Sequence, residues 1–405
     1  KIASTISDNS SLTRFSSSLF YIFNPIVHIS VLHRLQYPLM FFYGFMPFAF
    51  LIYLIGLKNK KLIYLVFLGL SSVIFSFAFV GIESTEMLFG MLGLLSLVYF
   101  LATFKQKKDW FPILYFLIFG IIFTLINVWW LIPLFSSVGD LGIGGSVKYF
   151  SSSGNVATFK SISEQIESVL SIFRLFKPHD YPADESSWAW VYNTAPFIIL
   201  SFFSIIFFII GLFKRSKELL YKFLILAAFI TMFWTKGTLP PFGEVSLFLF
   251  QRFNFLQIFR NPLEKSGLLL PFVMAIPIGF GIEMVISALA KKFKLPKRVV
   301  ALLTLVLVFP VYMFPITTGL AFTGGSPPAN NMDIGQYVKV PDYYKDAREW
   351  LDKQKGLFRV LTLPIDGEGM TYKWDYGFSG VELSNNLFNH SMISLNTSQA
   401  FLPEM

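Results

Sequence analysis

The chain has 405 residues, of which 54% are hydrophobic, 18% are aromatic and only 14% are charged. Soluble domains carry a charged share of about 25%, so this composition predicts a large membrane protein and excludes an ordinary soluble globule. The absence of cysteine excludes a disulfide framework, thiolate chemistry and a cysteine-based zinc site. The formal net charge of +9 would by itself permit nucleic-acid binding, so its distribution along the chain matters.

Eight apolar segments are predicted to cross the bilayer, because a helix needs about 20 apolar residues to span the hydrocarbon core. Residues 219–235 carry Lys222, and residues 266–290 carry Glu283. The other six segments contain no charged residue: 38–57, 62–82, 87–104, 110–135, 195–213 and 299–322. The sequence therefore predicts an all-α polytopic membrane protein with about eight spans.

Lysine and arginine cluster in four connecting segments, which read KNKK, KQKK, KRSK and KKFKLPKR in chain order. If residues 38–57 run inward, every one of these clusters falls on the same side of the membrane. Because lysine and arginine collect in cytoplasmic loops, we assign that side to the cytoplasm. The net charge then reflects membrane topology, and we predict no nucleic-acid binding.

The predicted topology divides the chain into three regions. Residues 1–37 form an outer-face or interfacial segment, and residues 38–322 form the transmembrane domain. Residues 323–405 follow a linker of turn formers and begin an extracytoplasmic α/β domain, with one helical and one strand pattern. No charged segment followed by an apolar one precedes the first span, and the chain stops abruptly, so we expect a fragment of a longer protein.

Two predicted outer loops, residues 136–194 and 236–261, are long enough to hold structure of their own. In the first loop, apolar residues near helical spacing in 161–176 predict an amphipathic helix on the membrane surface. In the second, the apolar stretches 245–250 and 253–259 are interrupted by Gly and Pro. Such stretches are typical of re-entrant or interfacial helices.

The stretch FRNPLEK, residues 259–265, places charged groups at the start of a long apolar run. Asn261 can cap a helix, Pro262 suits its first position and Glu264 completes a capping-box pattern, so we predict a helix that starts at Asn261. Its free N–H groups, with Arg260 and Lys265, would bind a phosphate at the outer surface. Alternatively, Arg260 pairs with Glu264 at the i, i+4 spacing and Lys265 only anchors the helix.

Three other places are candidates for substrate binding. His179 and Asp180 lie in a polar outer loop where a divalent cation or a sugar could bind, although an ordinary solvated loop has the same composition. Glu83 lies with another carboxylate in the tight outer turn between two spans, where acids are functional suspects and yet cost little. Trp374 and Asp375 belong to YKWDYGFSG, a composition typical of sugar-binding surfaces and also of turns. No pattern predicts a bound metal.

Three segments resemble a known group of membrane proteins. They are WTKGTLPPFGEVSLFLFQRFNFLQIFRNPLEKSGLLLPFVMAIPIGFGIE at 234–283, SSLFYIFNPIVHISVLHRLQYPLMFFYGFMPFAFL at 17–51, and YYKDAREWLDKQKGLFRVLTLP with the later YKWDYGFSG. The chain resembles the YfhO-type bacterial membrane proteins and the arabinofuranosyltransferase-type enzymes, both of the GT-C superfamily of glycosyltransferases. The resemblance covers most of the chain.

This resemblance implies a GT-C-like fold and an enzyme in the cytoplasmic membrane of a prokaryote. Such an enzyme would move a sugar from a polyprenyl-phosphate donor to a cell-envelope glycan or lipid acceptor on the outer face. It implies that Arg260, with Lys265 and Asn261, binds the donor phosphate. The general base of the family, an acid in the first outer loop, has no counterpart here, so the catalytic residues stay unassigned. The cofactor is also open, with a divalent cation possible.

Two further functions remain open from the sequence. A transporter or flippase for a lipid-linked glycan would need polar residues within the spans, and few are present. A non-catalytic envelope scaffold would bind a polymer or partner through its outer domain, and loss of the catalytic acid in the full-length chain would favour it.

Overall fold

A computed structural model describes eleven stretches of the chain. They are residues 10–28, 37–79, 81–140, 153–176, 190–214, 218–317, 340–356, 358–361, 370–372, 378–380 and 387–393. Two compact units are present, Lys1–Tyr181 with Tyr192–Thr318, and Pro182–Val191 with Gly319–Met405. Each unit is described by itself below.

The first unit is helical throughout its described residues. Its α-helices are α1 Ser11–Ile22, α2 Tyr37–Asn59, α3 Ile63–Ile74, α4 Ile82–Lys107, α5 Phe111–Asp140, α6 Ser153–Glu164, α7 Val169–Phe173, α8 Ala195–Ser201, α9 Phe203–Lys214, α10 Leu219–Thr235, α11 Gly243–Arg252, α12 Leu269–Phe293 and α13 Lys297–Thr317. Short 3₁₀ helices cover Ser76–Phe79, Asn254–Phe259 and Ser266–Leu268, and a fourth, Trp190–Asn193, runs across the boundary between the units.

Five helical segments within the described residues are long and apolar enough to cross a membrane, which is consistent with a membrane protein. They are Pro38–Asn59, Ile82–Phe104, Phe111–Pro133, Ala195–Leu212 and Ser266–Phe293. Helices are thus found in the predicted spans, but the predicted number of eight is not confirmed. The expected span 62–82 is not one continuous helix, because α3 ends at Ile74 and a 3₁₀ turn follows. With 12 residues, α3 is only about 18 Å long.

The most buried helix is α12, which packs against α1 on one side and α9 on the other. Gly279 makes the first contact possible, because a Cβ there would overlap the Ser17 side chain and the Thr13 carbonyl oxygen. Gly281 and Gly211 act in the same way in the second contact, against the backbone carbonyls of Phe207 and Pro277. Close approach through small residues is how helices associate where water supplies no driving force.

Two tyrosines form hydrogen bonds with carbonyl groups near the end of α1 and at the proline inside α2. Pro47 has no N–H to donate to the Tyr43 carbonyl one turn earlier, and the Tyr21 hydroxyl donates to that oxygen instead, at 2.6 Å. In return, the Tyr43 hydroxyl donates at 2.5 Å to the Tyr21 carbonyl, near the end of α1. The two rings stack with centroids 4.2 Å apart, and the Asn24 amide donates to the Tyr43 hydroxyl.

Two other carbonyls near helix ends accept hydrogen bonds from tyrosine hydroxyls. The Tyr221 hydroxyl donates to the Gly211 carbonyl in the last turn of α9. The Tyr312 hydroxyl lies 3.3 Å from the Ser201 carbonyl, where α8 gives way to α9. The Ser201 carbonyl also accepts from the Ser204 hydroxyl, at 2.8 Å. An unpaired carbonyl in apolar surroundings costs several kcal/mol, so such side-chain donors stabilise helix ends inside the protein.

Helix α1 belongs to residues 1–37, the segment predicted to lie at the outer face or interface, and it packs against α12. Along α1, Tyr21 contacts Phe272 edge-on, with ring centroids 6.4 Å apart, and Thr13 donates to the Glu283 carboxylate. Those partners lie 11 residues apart on α12, about 16 Å along its axis. Helix α1 therefore runs along α12, and the outer-face or interfacial placement of residues 1–37 stays a prediction.

The predicted amphipathic helix over 161–176 is also different in the structure. Helix α6 ends at Glu164, a tight turn with a positive φ at Glu167 follows, and α7 covers Val169–Phe173. Ile166, Ile172 and Phe176 are buried in the protein. The short helices predicted in the loop 236–261 are confirmed as α11 and the 3₁₀ helix Asn254–Phe259.

In the second unit, the helix expected from YYKDAREWLDKQ is present as α14, Asp342–Asp352. The strands are short: β1 Val360–Leu361, β2 Met370–Tyr372, β3 Phe378–Gly380 and β4 Met392–Ile393. Strand β1 pairs with β4 in parallel and β2 pairs with β3 antiparallel. Two pairs of strands do not confirm an α/β domain over 323–405.

The close contact between α9 and α12 yields a stability prediction. We expect Gly281→Ala to lower the free energy of unfolding by about 2 kcal/mol, because the added methyl group overpacks the contact with the Phe207 carbonyl. Thermal unfolding in detergent measures the change. Gly44→Ala is the matched control, since a Cβ at Gly44 in α2 meets nothing within 4 Å and alanine favours a helix. Equal destabilisation by both substitutions would contradict the expectation.

His28 follows α1 outside the five candidate spans and is fully buried. Its Nδ1 lies 3.2 Å from the Tyr192 hydroxyl, and burial lowers the pKa of the imidazole from 6.5 to about 4. Between these two values the unfolded chain binds a proton that the folded chain does not, so we expect stability to fall by about 3 kcal/mol as the pH drops from 7 to below 4. Unfolding midpoints at pH 7 and 4.5 should shift less for His28→Gln than for the wild type, and an equal shift would contradict this.

Candidate functional site

The first turn of α4 carries Glu83, whose carboxylate pairs with Lys265, a residue predicted to bind the donor phosphate. Glu83 follows the N-cap residue Gly81 by two positions, and its carboxylate lies 3.4 Å from the Lys265 Nζ. The side chains are 17% and 24% exposed, so the pair is partly shielded from solvent. A carboxylate in the first turn is favoured by the helix dipole. Lys265 is therefore partly neutralised by Glu83, one of the predicted substrate-binding candidates.

The prediction that a helix starts at Asn261 is wrong, because α12 begins at Leu269 after the 3₁₀ turn Ser266–Leu268. The Pro262 carbonyl accepts from the Ser266 hydroxyl at 2.5 Å and from the Gly267 amide at 3.0 Å, and these bonds interrupt the α-helical ladder. The Asn261 side chain still accepts from the Glu264 amide, at 3.5 Å. Asn261 therefore caps an isolated turn, and the helix N-terminus expected to bind an anion lies further along the chain.

Arg260 is half-buried beside α6. Its guanidinium donates to the side-chain oxygen of Asn155 at 3.4 Å, and Asn155 is only 4% exposed. The alternative pair with Glu264 is not among the contacts between described residues. Arg260 thus has an amide partner in place of a carboxylate, and it keeps its positive charge uncompensated by that contact.

A cavity of about 700 Å³ lies next to this turn. Its walls come from α4, α10, α11, the 3₁₀ helix Asn254–Phe259 and the start of α12, and they are almost entirely apolar. Phe259 and Ser266, which flank the segment with Arg260 and Lys265 in the sequence, are both part of the lining. The volume and the apolar walls are typical of a pocket for a small molecule or a lipid chain.

Two polar atoms in the cavity wall have no hydrogen-bond partner among the described residues. They are one carboxylate oxygen of Glu86 and the indole Nε1 of Trp234, and both are buried. Leaving a buried donor or acceptor unpaired costs about 1–3 kcal/mol. A ligand that donates a hydrogen bond to Glu86 and accepts one from Trp234 would recover this cost.

Two carboxylates lie near Lys265, one of the residues predicted to bind a phosphate. Glu83 and Glu86 lie one turn apart on α4, and they oppose the charges of Lys265 and Arg260. The charge of Lys265 is therefore partly compensated, whereas the contact of Arg260 with Asn155 leaves its charge in place. The corner therefore suits a head group that combines an anion with hydroxyl donors better than it suits a bare phosphate.

Exposed phenylalanines surround the cavity on the side of α11. Phe248 is 61% exposed, and Phe255, which lines the cavity, is 60% exposed. Phe242 and Val245 continue the same apolar surface. Exposed apolar surface of this extent marks a membrane or partner contact. A lipid could therefore approach the cavity from the bilayer.

The remaining predicted site residues lie outside the described part of the chain. His179 and Asp180 fall in the segment 177–189, and Trp374 and Asp375 fall between β2 and β3. Where the structure does describe the chain, it contains no group of three or more histidine, aspartate or glutamate residues that could hold a metal ion. The possible divalent cation stays a prediction.

Two residues of the cavity wall, Glu86 and Trp234, were not among the predicted site residues. Glu86 follows Glu83 by three residues, a spacing that places both on one face of a helix, and this was the available signal. Trp234 gave no signal, because a tryptophan near the end of an apolar helix is usual at a membrane interface.

Comparisons with protein-family models, with curated proteins and with solved structures find no match to this chain. No family assignment follows.

The pair of Glu83 and Lys265 can be tested by a double-mutant cycle. We expect Lys265→Met to destabilise the protein by about 2 kcal/mol, because Glu83 and Glu86 then repel each other without a cation. Glu83→Gln should cost less, and the coupling energy should be about 1 kcal/mol in chemical unfolding. The exposed pair of Lys60 and Asp109, 2.5 Å apart, is the control and should show no measurable coupling. No coupling between Glu83 and Lys265 would contradict the expectation.

Proposed function

We propose that this protein is a membrane glycosyltransferase that takes a sugar from a polyprenyl-phosphate donor and transfers it to a glycan or lipid of the cell envelope. Its place would be the outer face of a prokaryotic cytoplasmic membrane. The observation that supports this best is the 700 Å³ cavity, whose apolar walls include Glu86 and which is lined by Phe259 and Ser266, the residues on either side of the segment with Arg260 and Lys265. A lipid-linked sugar has the same division, with an apolar chain at one end and an anionic, hydroxyl-rich head at the other.

The apolar walls suit the prenyl chain of the donor. Phe89 and Met91 from α4, Ile230 from α10 and Leu256 beyond α11 provide branched, aromatic and flexible surfaces that a chain of this width can fill. Burying apolar surface contributes about 25 cal/mol per Å². The chain therefore supplies most of the binding free energy, and the polar groups select the head.

The charged corner suits the head group. Arg260 would contact the phosphate, and Lys265 would join it by exchanging Glu83 for the ligand. The free carboxylate oxygen of Glu86 would accept a hydrogen bond from a sugar hydroxyl, while Trp234 would donate one to a sugar or phosphate oxygen. This arrangement binds and orients a donor. We leave the general base that activates the acceptor unassigned.

The proposal is tested with the protein in nanodiscs, supplied with labelled polyprenyl-phosphate sugars and with envelope lipids as acceptors. We expect the wild type to release the carrier phosphate and label the acceptor. Gly90→Leu should weaken donor binding about tenfold, because Gly90 lines the cavity and a larger side chain there meets open space. Gly44→Leu, which also meets open space but lies away from the cavity, should bind the donor normally.

A second pair of variants tests the polar end of the site. Arg260→Gln should weaken donor binding about tenfold, whereas Arg252→Gln on the exposed end of α11 should not. Donor binding without transfer by the wild type would overturn the enzymatic part and favour a transporter or a scaffold. Absence of donor binding, or equal binding by all four variants, would overturn the site.

A further inference from the structure

The 700 Å³ cavity opens at the surface of the first unit, between α4, α10 and the segment after α11. Gly90 of α4, Ile230 of α10 and Phe255 line the cavity and are exposed, Ile230 by 48% and Phe255 by 60%. On the same sides of their helices, Leu97 follows Gly90 by two turns and Leu226 precedes Ile230 by one turn, and both are exposed. The opening is therefore continuous with the apolar outer sides of α4 and α10.

Hydrocarbon is the medium that suits these outer sides. Helix α4 contains the candidate span Ile82–Phe104, and α10 is an apolar helix of 17 residues. Phe229, next to Ile230, is 60% exposed. Large apolar patches are rare on surfaces that face water. The sides of both helices, and the opening between them, are therefore suited to contact with lipid chains.

Helix α11 borders the opening at the end of the bundle away from two basic segments. Residues 236–242 join it to the end of α10, and α12 begins beyond it at Leu269. KRSK precedes α10, and KKFKLPKR contains the end of α12, so both helices turn their other ends toward α11. Since the basic segments are predicted to lie in the cytoplasm, α11 adjoins the outer leaflet in the predicted topology.

Helix α11 has a buried side and a polar side. Gly243, Ser246 and Phe250 are buried, and their three- and four-residue spacing places them on one side. Glu244 and Gln251 are exposed and lie two turns apart on a neighbouring side. The polar side therefore suits water, as in a helix that lies at a membrane surface.

The third side of α11 is apolar and exposed, and it leads to the cavity. Val245 and Phe248 are 45% and 61% exposed. Leu249 follows Val245 by one turn and lines the cavity. Arg252 ends this side in the last turn, where its long side chain can reach lipid head groups. The apolar side thus lies between the polar side and the cavity, which is the arrangement of an interfacial helix next to a lipid pocket.

We propose that α11 lies half-embedded in the surface of the outer leaflet and that the cavity opens beneath it, so that one chain of a bilayer lipid enters sideways and occupies the cavity. The occupant comes from the bilayer because the opening is bordered by apolar side chains, while the polar side of α11 faces away from it. Burial of a lipid chain against such walls contributes about 25 cal/mol per Å².

The lateral entrance does not depend on glycosyl transfer, because any lipid with a long apolar chain fits these walls. For the proposed function it adds that the donor reaches its site without leaving the bilayer. This addition alone rests on the proposed function.

Spin labels test the position of α11 and of the opening. The chain has no cysteine, so one introduced cysteine carries a nitroxide at a single known place. In nanodiscs, we expect oxygen, which concentrates in hydrocarbon, to relax the labels of Phe248→Cys and Gly90→Cys, as it relaxes that of Leu125→Cys on the exposed side of α5. We expect a water-soluble nickel complex to relax the label of Gln251→Cys, as it relaxes that of Lys61→Cys in KNKK.

Similar responses at Phe248 and Gln251 would overturn the placement of α11. A dominant response to nickel at Gly90 would show a cavity that opens to water, and it would overturn the lateral entrance.

Photocrosslinking follows the lipid chain itself, without any sugar donor. Phosphatidylcholine with a diazirine in one acyl chain is incorporated into the nanodiscs, and crosslinked peptides are mapped by mass spectrometry. We expect crosslinks at Met87, which lines the cavity and is only 3% exposed, so that a chain reaches it from inside the cavity. Gly90→Leu should lower the yield at Met87 severalfold, while Gly44→Leu should leave it unchanged.

Crosslinks on the exposed sides of helices with none at Met87, or equal yields at Met87 in both variants, would overturn the proposal. Because no donor is present, these outcomes are distinct from a failure of glycosyl transfer. A protein that shows the crosslinks at Met87 and transfers no sugar keeps its lateral entrance and loses the proposed function.

Discussion

Backbone carbonyls that lose their helical partner must find another donor when the surroundings are apolar, and the first unit of this protein is organised around that constraint. Helix α1 ends before Asn24 and Pro25, α2 contains Pro47, and Phe202 separates α8 from α9. The Tyr43 hydroxyl donates at the first of these places, the Tyr21 hydroxyl at the second and the Tyr312 hydroxyl at the third. Some of the many aromatic side chains are thus hydrogen-bond donors to the backbone as well as packing residues.

The helical regions could be predicted from hydropathy because apolar length is a property of a segment by itself. The packing partners could not, since they depend on contacts between distant segments. Gly279 and Gly281 illustrate the difference: both read as ordinary residues of an apolar run, and only the structure shows that they seat α1 and α9 against α12. The contact of α1 with α12 could not be predicted for the same reason, because Ser17 packs beside Gly279, which is far away in the sequence.

The position of the candidate site could be predicted from the sequence, but the charges around it could not. The polar residues at 260–265 predicted a site at this corner, and a cavity lies next to it. The sequence could not show that α4 brings Glu83 and Glu86 to the same corner, because about 180 residues separate them from Lys265. Helix capping also misled the prediction. Asn261 does accept from the Glu264 amide, but hydrogen bonds to the Pro262 carbonyl stop the helix within one turn.

The contact between Glu83 and Lys265 sets a limit on how tightly an anion can bind at this corner. A cation that is already engaged must exchange one negative partner for another, so the incoming group gains only the difference between two attractions. The anion also leaves easily, because Glu83 pairs with Lys265 again as the anion departs. Lys265 is therefore not left as an uncompensated charge. For the proposed function, such a balance would favour repeated turnover of the anionic donor over its permanent retention.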